Sequence, residues 1–121
     1  AALHAALQTH PVVSSPRIGS LPGVEPGMST ESERIAAALG RREESALAEF
    51  YDRYGGTVHA LALRMTGDRG LAQEITLDAF LQVWQQVERY DARQGSIEGW
   101  LFTIARSRAI DRLRAGRAIK R

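Results

Sequence analysis

The sequence predicts an all-α fold, a compact bundle of about four helices with an irregular N-terminal tail. Apolar residues recur at steps of three and four from Thr30 onward, which is the spacing of one helix face. No segment alternates apolar and polar residues as a strand would, and the residues that cap helices stand where helices are expected to begin. The absence of cysteine excludes a disulfide scaffold and a thiolate metal site.

The first 27 residues differ from the rest of the chain. They contain all four prolines and only two charged side chains, so regular structure is not expected there. Met28 with the following Ser-Thr-Glu resembles a natural start, and residues 1–27 are then an extension or the remnant of a fusion. We therefore divide the chain into a Pro/Gly-rich tail, 1–27, and one helical domain, 28–121.

The first two helices are predicted from caps and periodicity. Thr30 and Glu33 have the spacing of a capping box, and Gly40 is placed to end the first helix. The second helix is strongly periodic from about residue 47 to 65, and Gly67 closes it.

The last two helices are separated by a polar loop. Asp68 is placed to cap a third helix over about 70–88, and the loop over 90–95 follows. Ser96 is placed to cap a last helix that runs to about residue 115.

The third helix carries more apolar surface than one core stripe requires. At 100° per residue its core residues cover about half of the circumference, whereas Leu77, Leu81 and Trp84 form a row beyond that arc. Glu74 and Asp78 border this row. An apolar row with an acidic edge suits a helical partner with basic residues, although a neighbouring helix of the same domain would cover it equally well.

The last helix is basic in its second half. Residues 97–121 hold seven basic and two acidic side chains, whereas residues 28–96 hold eight basic and eleven acidic ones. Closely spaced guanidinium groups favour a nearby anion, and phosphate suits their forked donors. Trp100 and Phe102 stand at the start of this helix, where they either pack in the core or stack on unpaired bases.

No catalytic or metal-binding constellation is present in the sequence. His4 and His10 lie in the tail and His59 stands alone, so neither a metal set nor a nucleophilic triad forms. We expect no enzyme activity and no cofactor. No apolar run approaches the roughly 20 residues that span a bilayer, and a cytoplasmic protein is the expectation.

Five blocks of sequence follow one another in a characteristic order and spacing. The blocks are Phe50-Tyr-Asp-Arg-Tyr54, Ala62-Leu-Arg-Met-Thr-Gly-Asp68, Ala72-Gln-Glu-Ile-Thr-Leu-Asp-Ala-Phe-Leu-Gln-Val-Trp84, Tyr90-Asp-Ala-Arg-Gln-Gly-Ser96 and Trp100-Leu-Phe-Thr-Ile-Ala-Arg-Ser-Arg-Ala-Ile-Asp-Arg-Leu-Arg114. Together they resemble region 2 of the extracytoplasmic-function (ECF, group IV) sigma factors of bacterial RNA polymerase. The resemblance covers about residues 40–121.

The resemblance implies a transcription initiation module with three partners. It implies docking on the clamp helices of the polymerase β′ subunit, recognition and melting of the promoter −10 element as single-stranded non-template DNA, and control by an anti-sigma factor. The polymerase-binding residues would be Glu74, Leu77, Asp78, Leu81 and Trp84. The DNA-binding residues would be Asp91, Arg93, Gln94, Ser96, Trp100, Arg106, Arg108, Arg112, Arg114 and Arg117.

The sequence also departs from the family. Leu77-Asp78 stands where Gln-Glu is usual, and Ser107 replaces a frequent Asn. The chain ends at Arg121, where the linker to a −35-reading domain would begin, so a fragment of a longer protein is expected. The Leu77 departure leaves an alternative open, a helical protein–protein adaptor that keeps the scaffold without DNA recognition.

Overall fold

The computed structural model describes the backbone of residues 30–120 and the side chains of residues 31–116. This part of the chain folds into four α-helices and contains no strand, which confirms the predicted all-α bundle. The helices are α1 (Thr30–Gly40), α2 (Glu44–Thr66), α3 (Arg69–Gln86) and α4 (Ile97–Lys120), with 3-10 turns at Val87–Arg89 and Ala92–Gln94 between the last two. The predicted tail, the boundary at residue 28 and the Thr30 side chain lie outside the described residues.

The helix caps follow the sequence closely. The Asp68 side chain accepts a hydrogen bond from the Leu71 N–H at 3.0 Å, and the Ser96 hydroxyl accepts one from the Gly99 N–H at 3.1 Å. Gly67 closes α2 with a left-handed φ of 70°, a conformation that costs glycine little. These two N-caps and the Gly67 terminus are confirmed.

Two helix boundaries differ from the prediction. The third helix gives way to a 3-10 turn after Gln86, and α4 continues to Lys120 instead of ending near residue 115. The basic second half of α4 contains Ala115, Ala118 and only one glycine, so nothing in its local sequence stops the helix where we expected it to end.

The turn between α1 and α2 places its left-handed residue at Arg42 rather than at Gly40. Arg42 has a φ of 61°, its N–H donates to the Leu39 carbonyl, and the Glu43 N–H donates to the Ala38 carbonyl. This pair of bonds is a Schellman motif, in which glycine is usual at the left-handed position. The Arg42 guanidinium lies 5.3 Å from the centre of the Trp84 ring and donates to the Trp84 carbonyl, so its side chain ties this turn to α3.

All four helices contribute to the main core, in which α3 packs against both α2 and α4. Its largest fully buried side chains are Trp100, Phe50 and Phe80, and the Phe50 and Phe80 rings meet edge to face at 5.4 Å. A smaller cluster of Ala62, Ala72, Ile75 and Ala109 extends the contact between α2, α3 and α4. The packing therefore fixes α3 and α4 side by side, and these helices carry most of the candidate site residues.

Contacts of α1 fix the start of α4. The Ser32 hydroxyl donates to Glu98 Oε1 at 2.7 Å and accepts from the Ile97 N–H at 3.3 Å. The first N–H groups of a helix have no partner within that helix, and here the Ile97 N–H finds its partner on α1. This contact links α1 to the beginning of the basic helix across 65 residues of sequence.

Candidate partner and nucleic-acid surfaces

The apolar row predicted on α3 is only partly exposed. Leu77 and Trp84 are half-buried, whereas Leu81 is 1% exposed. The prediction that Leu81 lies on an open surface is therefore wrong. The second half of α4 lies along this side of α3, where Arg108 and Arg112 reach Asp78 one turn before Leu81.

Trp84 is partly covered as well. The Arg42 guanidinium stacks on its ring, and Arg42 also approaches Glu88 with an Nη2–Oε2 distance of 3.5 Å. The predicted docking row is thus reduced to Leu77 and the remaining exposed part of Trp84, with Glu74 and Asp78 beside Leu77.

The acidic edge of α3 and the basic row of α4 face each other. Arg112 lies 3.6 Å from Glu74 (Nη1–Oε2) and 3.7 Å from Asp78 (Nη2–Oδ2). Arg108 lies 3.7 Å from the same Asp78 oxygen. These residues were predicted to belong to two different surfaces, but ion pairs join them in the folded domain.

Arg108 is part of the interior rather than of a free basic face. Its Nε and Nη2 donate to Gln82 Oε1 at 3.0 and 2.8 Å, and Gln82 is 2% exposed. Burial lowers the pKa of Arg108 below its usual range, while Asp78 acts in the opposite direction. A guanidinium held by a buried amide stabilises the packing of α4 on α3.

Gln82 was not among the predicted site residues, yet it holds one of the predicted arginines. It falls within the arc assigned to the core of the third helix, between apolar neighbours. A polar side chain among core positions indicates a buried hydrogen-bond partner, and the closely spaced arginines of the last helix are candidates for it. The position of Gln82 in the sequence could therefore have indicated this contact.

Arg106 and Arg114 are the most exposed basic residues in the part of α4 whose side chains the structure describes. Within the described side chains neither makes an ion pair, so both guanidinium groups face solvent.

Arg106 lies beside a groove of about 330 Å³ between α2 and α4. The groove is lined by Leu61, Phe102, Thr103, Arg106, Ser107 and Ile110. The Arg117 side chain lies outside the described residues.

The loop before α4 has a defined conformation. Asp91 accepts from the Arg93 N–H at 2.9 Å and from its Nε at 3.2 Å, which lowers the pKa of Asp91. Gly95 has a φ of 152° and ψ of 176°, a region that is essentially restricted to glycine, and its carbonyl accepts from the Tyr90 hydroxyl at 2.7 Å. The Arg93 side chain is 90% exposed and Gln94 is exposed, so this loop presents two polar side chains to solvent.

Two of the residues assigned to DNA are not available at the surface. Trp100 is 1% exposed and stacks on Tyr90 at 5.9 Å, so the expectation that it offers a surface for bases is wrong. It is buried because the first turns of α4 pack against the three other helices. Ser96 is 8% exposed, and its hydroxyl is used to cap α4.

The described residues contain no group of three or more His, Asp or Glu side chains that could hold a metal ion. Within this part of the chain, no helix has the length and apolar character that crossing a membrane requires.

The described residues form an all-α domain with three notable surface features. These are an acidic, partly apolar side on α3, an arginine-bearing helix beside it and a polar loop of defined conformation. Residues 50–119 match the family described as Sigma-70 region 2, and the chain belongs to this family. Sigma factors are transcription initiation factors rather than enzymes, which confirms the expectation that the chain has no catalytic activity.

The relatives are named ECF RNA polymerase sigma factor SigK. The chain is 39% identical over 93 residues to that of Mycobacterium ulcerans, an alignment that covers 77% of this chain and 50% of the relative. It is 37% identical to that of Mycolicibacterium vanbaalenii, over 77% and 47%, and 33% identical to that of Mycobacterium tuberculosis, over 77% and 50%. The chain spans about half the length of the curated relatives it matches. The resemblance to ECF sigma factors is confirmed.

Proposed function

We propose that this chain is the part of an ECF sigma factor that joins RNA polymerase to the promoter −10 element. The family match carries the proposal, because it covers α3, the loop and nearly all of α4. The exposure of Arg106, Arg114 and Arg93 supports it, since all three lie on the loop and on the helix assigned to DNA. The proposed partners are the β′ clamp helices, promoter DNA and an anti-sigma factor, which implies a cytoplasmic location.

We propose different roles in DNA binding for the exposed arginines and for the loop before α4. Phosphate contacts by the exposed arginines would supply affinity and its dependence on salt. The loop, held by Asp91 and Gly95, would supply the choice of base through Arg93 and Gln94. Extraction of a base from the duplex costs a few kcal/mol, which the phosphate and loop contacts would offset.

Polymerase docking is proposed on α3 in a reduced form. Leu77, Asp78 and the exposed edge of Trp84 would meet the partner, with Glu74 at the rim. Leu81 is buried beneath them and would support this surface without contacting the partner unless α4 moved.

Selection from a random pool of single-stranded oligonucleotides tests the DNA half of the proposal. The full chain should enrich one short motif, and Gln94→Ala or Arg93→Ala should change the enriched motif. Arg64→Ala is the matched control, because Arg64 is exposed on α2 and makes no ion pair within the described residues. Binding without sequence preference, or none at all, would favour the protein–protein adaptor.

Binding to a fragment that contains the β′ clamp helices tests the polymerase half. Leu77→Ala should weaken this binding, because the half-buried Leu77 supplies part of the accessible apolar surface of the proposed row. Leu63→Ala is a comparable change on α2, where Leu63 is also half-buried. Equal affinities of the two variants would refute the docking surface.

A further inference from the structure

Arg112 and Arg108 both form ion pairs with carboxylates of α3, but they differ in how firmly they are held. It lies 3.6 Å from Glu74 and 3.7 Å from Asp78, and its side chain keeps 39% of its surface exposed. Glu74 is 62% exposed. This is an accessible ion pair on the side of α4 that faces α3.

Arg108 provides the contrast. Its guanidinium also approaches Asp78, but it is anchored by two hydrogen bonds to the buried Gln82 and is only 20% exposed. Removing Arg108 from its site would break those bonds, whereas Arg112 can leave its carboxylates for another anion at the surface. An exposed ion pair of this kind contributes little to stability and exchanges readily.

We infer that Glu74 and Asp78 compete with DNA phosphate for Arg112. A carboxylate and a phosphate present similar pairs of oxygens to a guanidinium, so one side chain serves either partner but not both. This inference rests on the proposed function, because it requires that α4 contacts DNA. The acidic residues of α3 would thus lower the DNA affinity of the domain as well as form part of a protein-binding surface.

The competition has a measurable signature in salt dependence. Each arginine that binds phosphate releases a counterion from DNA, which makes affinity fall with salt. When Arg112 moves to phosphate, Glu74 loses this ion pair and gathers cations from solution, whereas Asp78 keeps its contact with Arg108. The cations taken up by Glu74 offset part of that release. Removal of one carboxylate should therefore tighten DNA binding and steepen its dependence on salt.

Glu74→Gln is the sharpest variant, because Glu74 is exposed and, among the described side chains, it forms an ion pair with Arg112 alone. Binding of the full chain to a labelled single-stranded oligonucleotide is measured by fluorescence anisotropy over a range of salt concentrations. Asp52→Asn is the matched control: it removes the same charge from an exposed position on α2 with no ion pair among the described residues. We expect Glu74→Gln to tighten binding by about two- to fivefold more than Asp52→Asn does.

A double-mutant cycle assigns the effect to Arg112. In an Arg112→Ala background, Glu74→Gln should change affinity no more than Asp52→Asn does, because the shared side chain is absent. Melting curves confirm that each variant is folded.

The outcomes separate this inference from the function on which it rests. If the unmodified chain binds DNA and Glu74→Gln matches Asp52→Asn, the competition is refuted and the proposed function stands. A gain that persists undiminished in the Arg112→Ala background also refutes it. If the unmodified chain binds no DNA, the proposed function and the inference both fail.

Discussion

The two halves of α4 have opposite surroundings although they belong to one continuous helix. From Ile97 to Ala105 the apolar side chains are largely buried, and Trp100 is the largest side chain in the core. From Arg106 to Gly116 most side chains are partly or fully exposed, and only Ala109 is buried. The buried half thus fixes the position and direction of the half that carries the arginines. The guanidinium groups of α4 are held by a continuous helix rather than by a loop.

Substitution of the buried half should have the largest effect on stability. Trp100→Ala removes the largest fully buried side chain and its stack on Tyr90, and should cost about 3–5 kcal/mol of unfolding free energy. Urea denaturation followed by circular dichroism measures this loss. Phe102→Ala, at the edge of the groove, should cost clearly less, and equal losses would contradict the contrast within α4.

Substitutions of Arg108 and Arg114 should differ in their effect on stability, because Arg108 is anchored in the interior and Arg114 is exposed. Arg108→Ala should lower the unfolding free energy by about 2 kcal/mol, because it removes two charge-assisted hydrogen bonds to Gln82. Arg114→Ala should change stability by less than about 0.5 kcal/mol, since its side chain is exposed. The reverse order in urea denaturation would show that Arg108 is not anchored in the interior.

DNA binding should respond to Arg114 instead. Arg114→Ala should weaken binding to single-stranded DNA and reduce the salt dependence by about one ion, as expected for one lost phosphate contact. Anisotropy titrations at several salt concentrations measure both quantities, with Arg64→Ala as the control. An unchanged slope would exclude a phosphate contact by Arg114.

The cap at the start of α4 should have a smaller effect. Ser96→Ala removes the acceptor for the Gly99 N–H and should lower the unfolding free energy by about 1 kcal/mol. Ser96→Asp keeps an acceptor at this position and should restore most of the loss. Failure of Ser96→Asp to restore stability would indicate that Ser96 acts through packing in its buried site.

The smallest effect should be seen at alkaline pH. Burial, together with the negative charge of Glu98, raises the pKa of Tyr90 to about 12 from its ordinary value near 10. The neutral phenol is therefore favoured in the folded state, and its contribution is complete below about pH 10 and lost as pH rises toward 12. Urea denaturation at pH 9 and pH 11 measures the unfolding free energy at each pH. Between these two values the natural chain should lose more stability than Tyr90→Phe does, and equal losses would contradict the link between Tyr90 ionisation and stability.

Helix order and caps were predictable because they depend on local sequence. Asp68, Ser96 and Gly67 act within a few residues of themselves, and all three behave as expected. The exposure of Leu81 was not predictable from the periodicity of α3, because it depends on which side of α3 the neighbouring α4 covers. The burial of Trp100 was not predictable for a similar reason. The first turns of α4 are apolar on every side, so the sequence does not indicate which side of the helix faces solvent.

The candidate site was predictable in its residue types but not in its connections. The sequence located the acidic residues on α3 and the arginines on α4, and it also placed Gln82 among core positions. The ion pairs of Arg112 with Glu74 and Asp78 arise only when the two helices pack side by side. Contacts between residues more than 30 positions apart leave no signature in the periodicity of either helix.

Arg42 has a consequence for how the domain opens locally. A glycine at this position would adopt the left-handed backbone more easily, but it would lose the stack on Trp84 and the bond to the Trp84 carbonyl. We therefore expect the α1–α2 corner and the final turn of α3 to open together as one cooperative unit. Amide hydrogens of the two segments should exchange with deuterium at similar rates, and Arg42→Gly should make the end of α3 exchange faster while leaving its first turns unchanged.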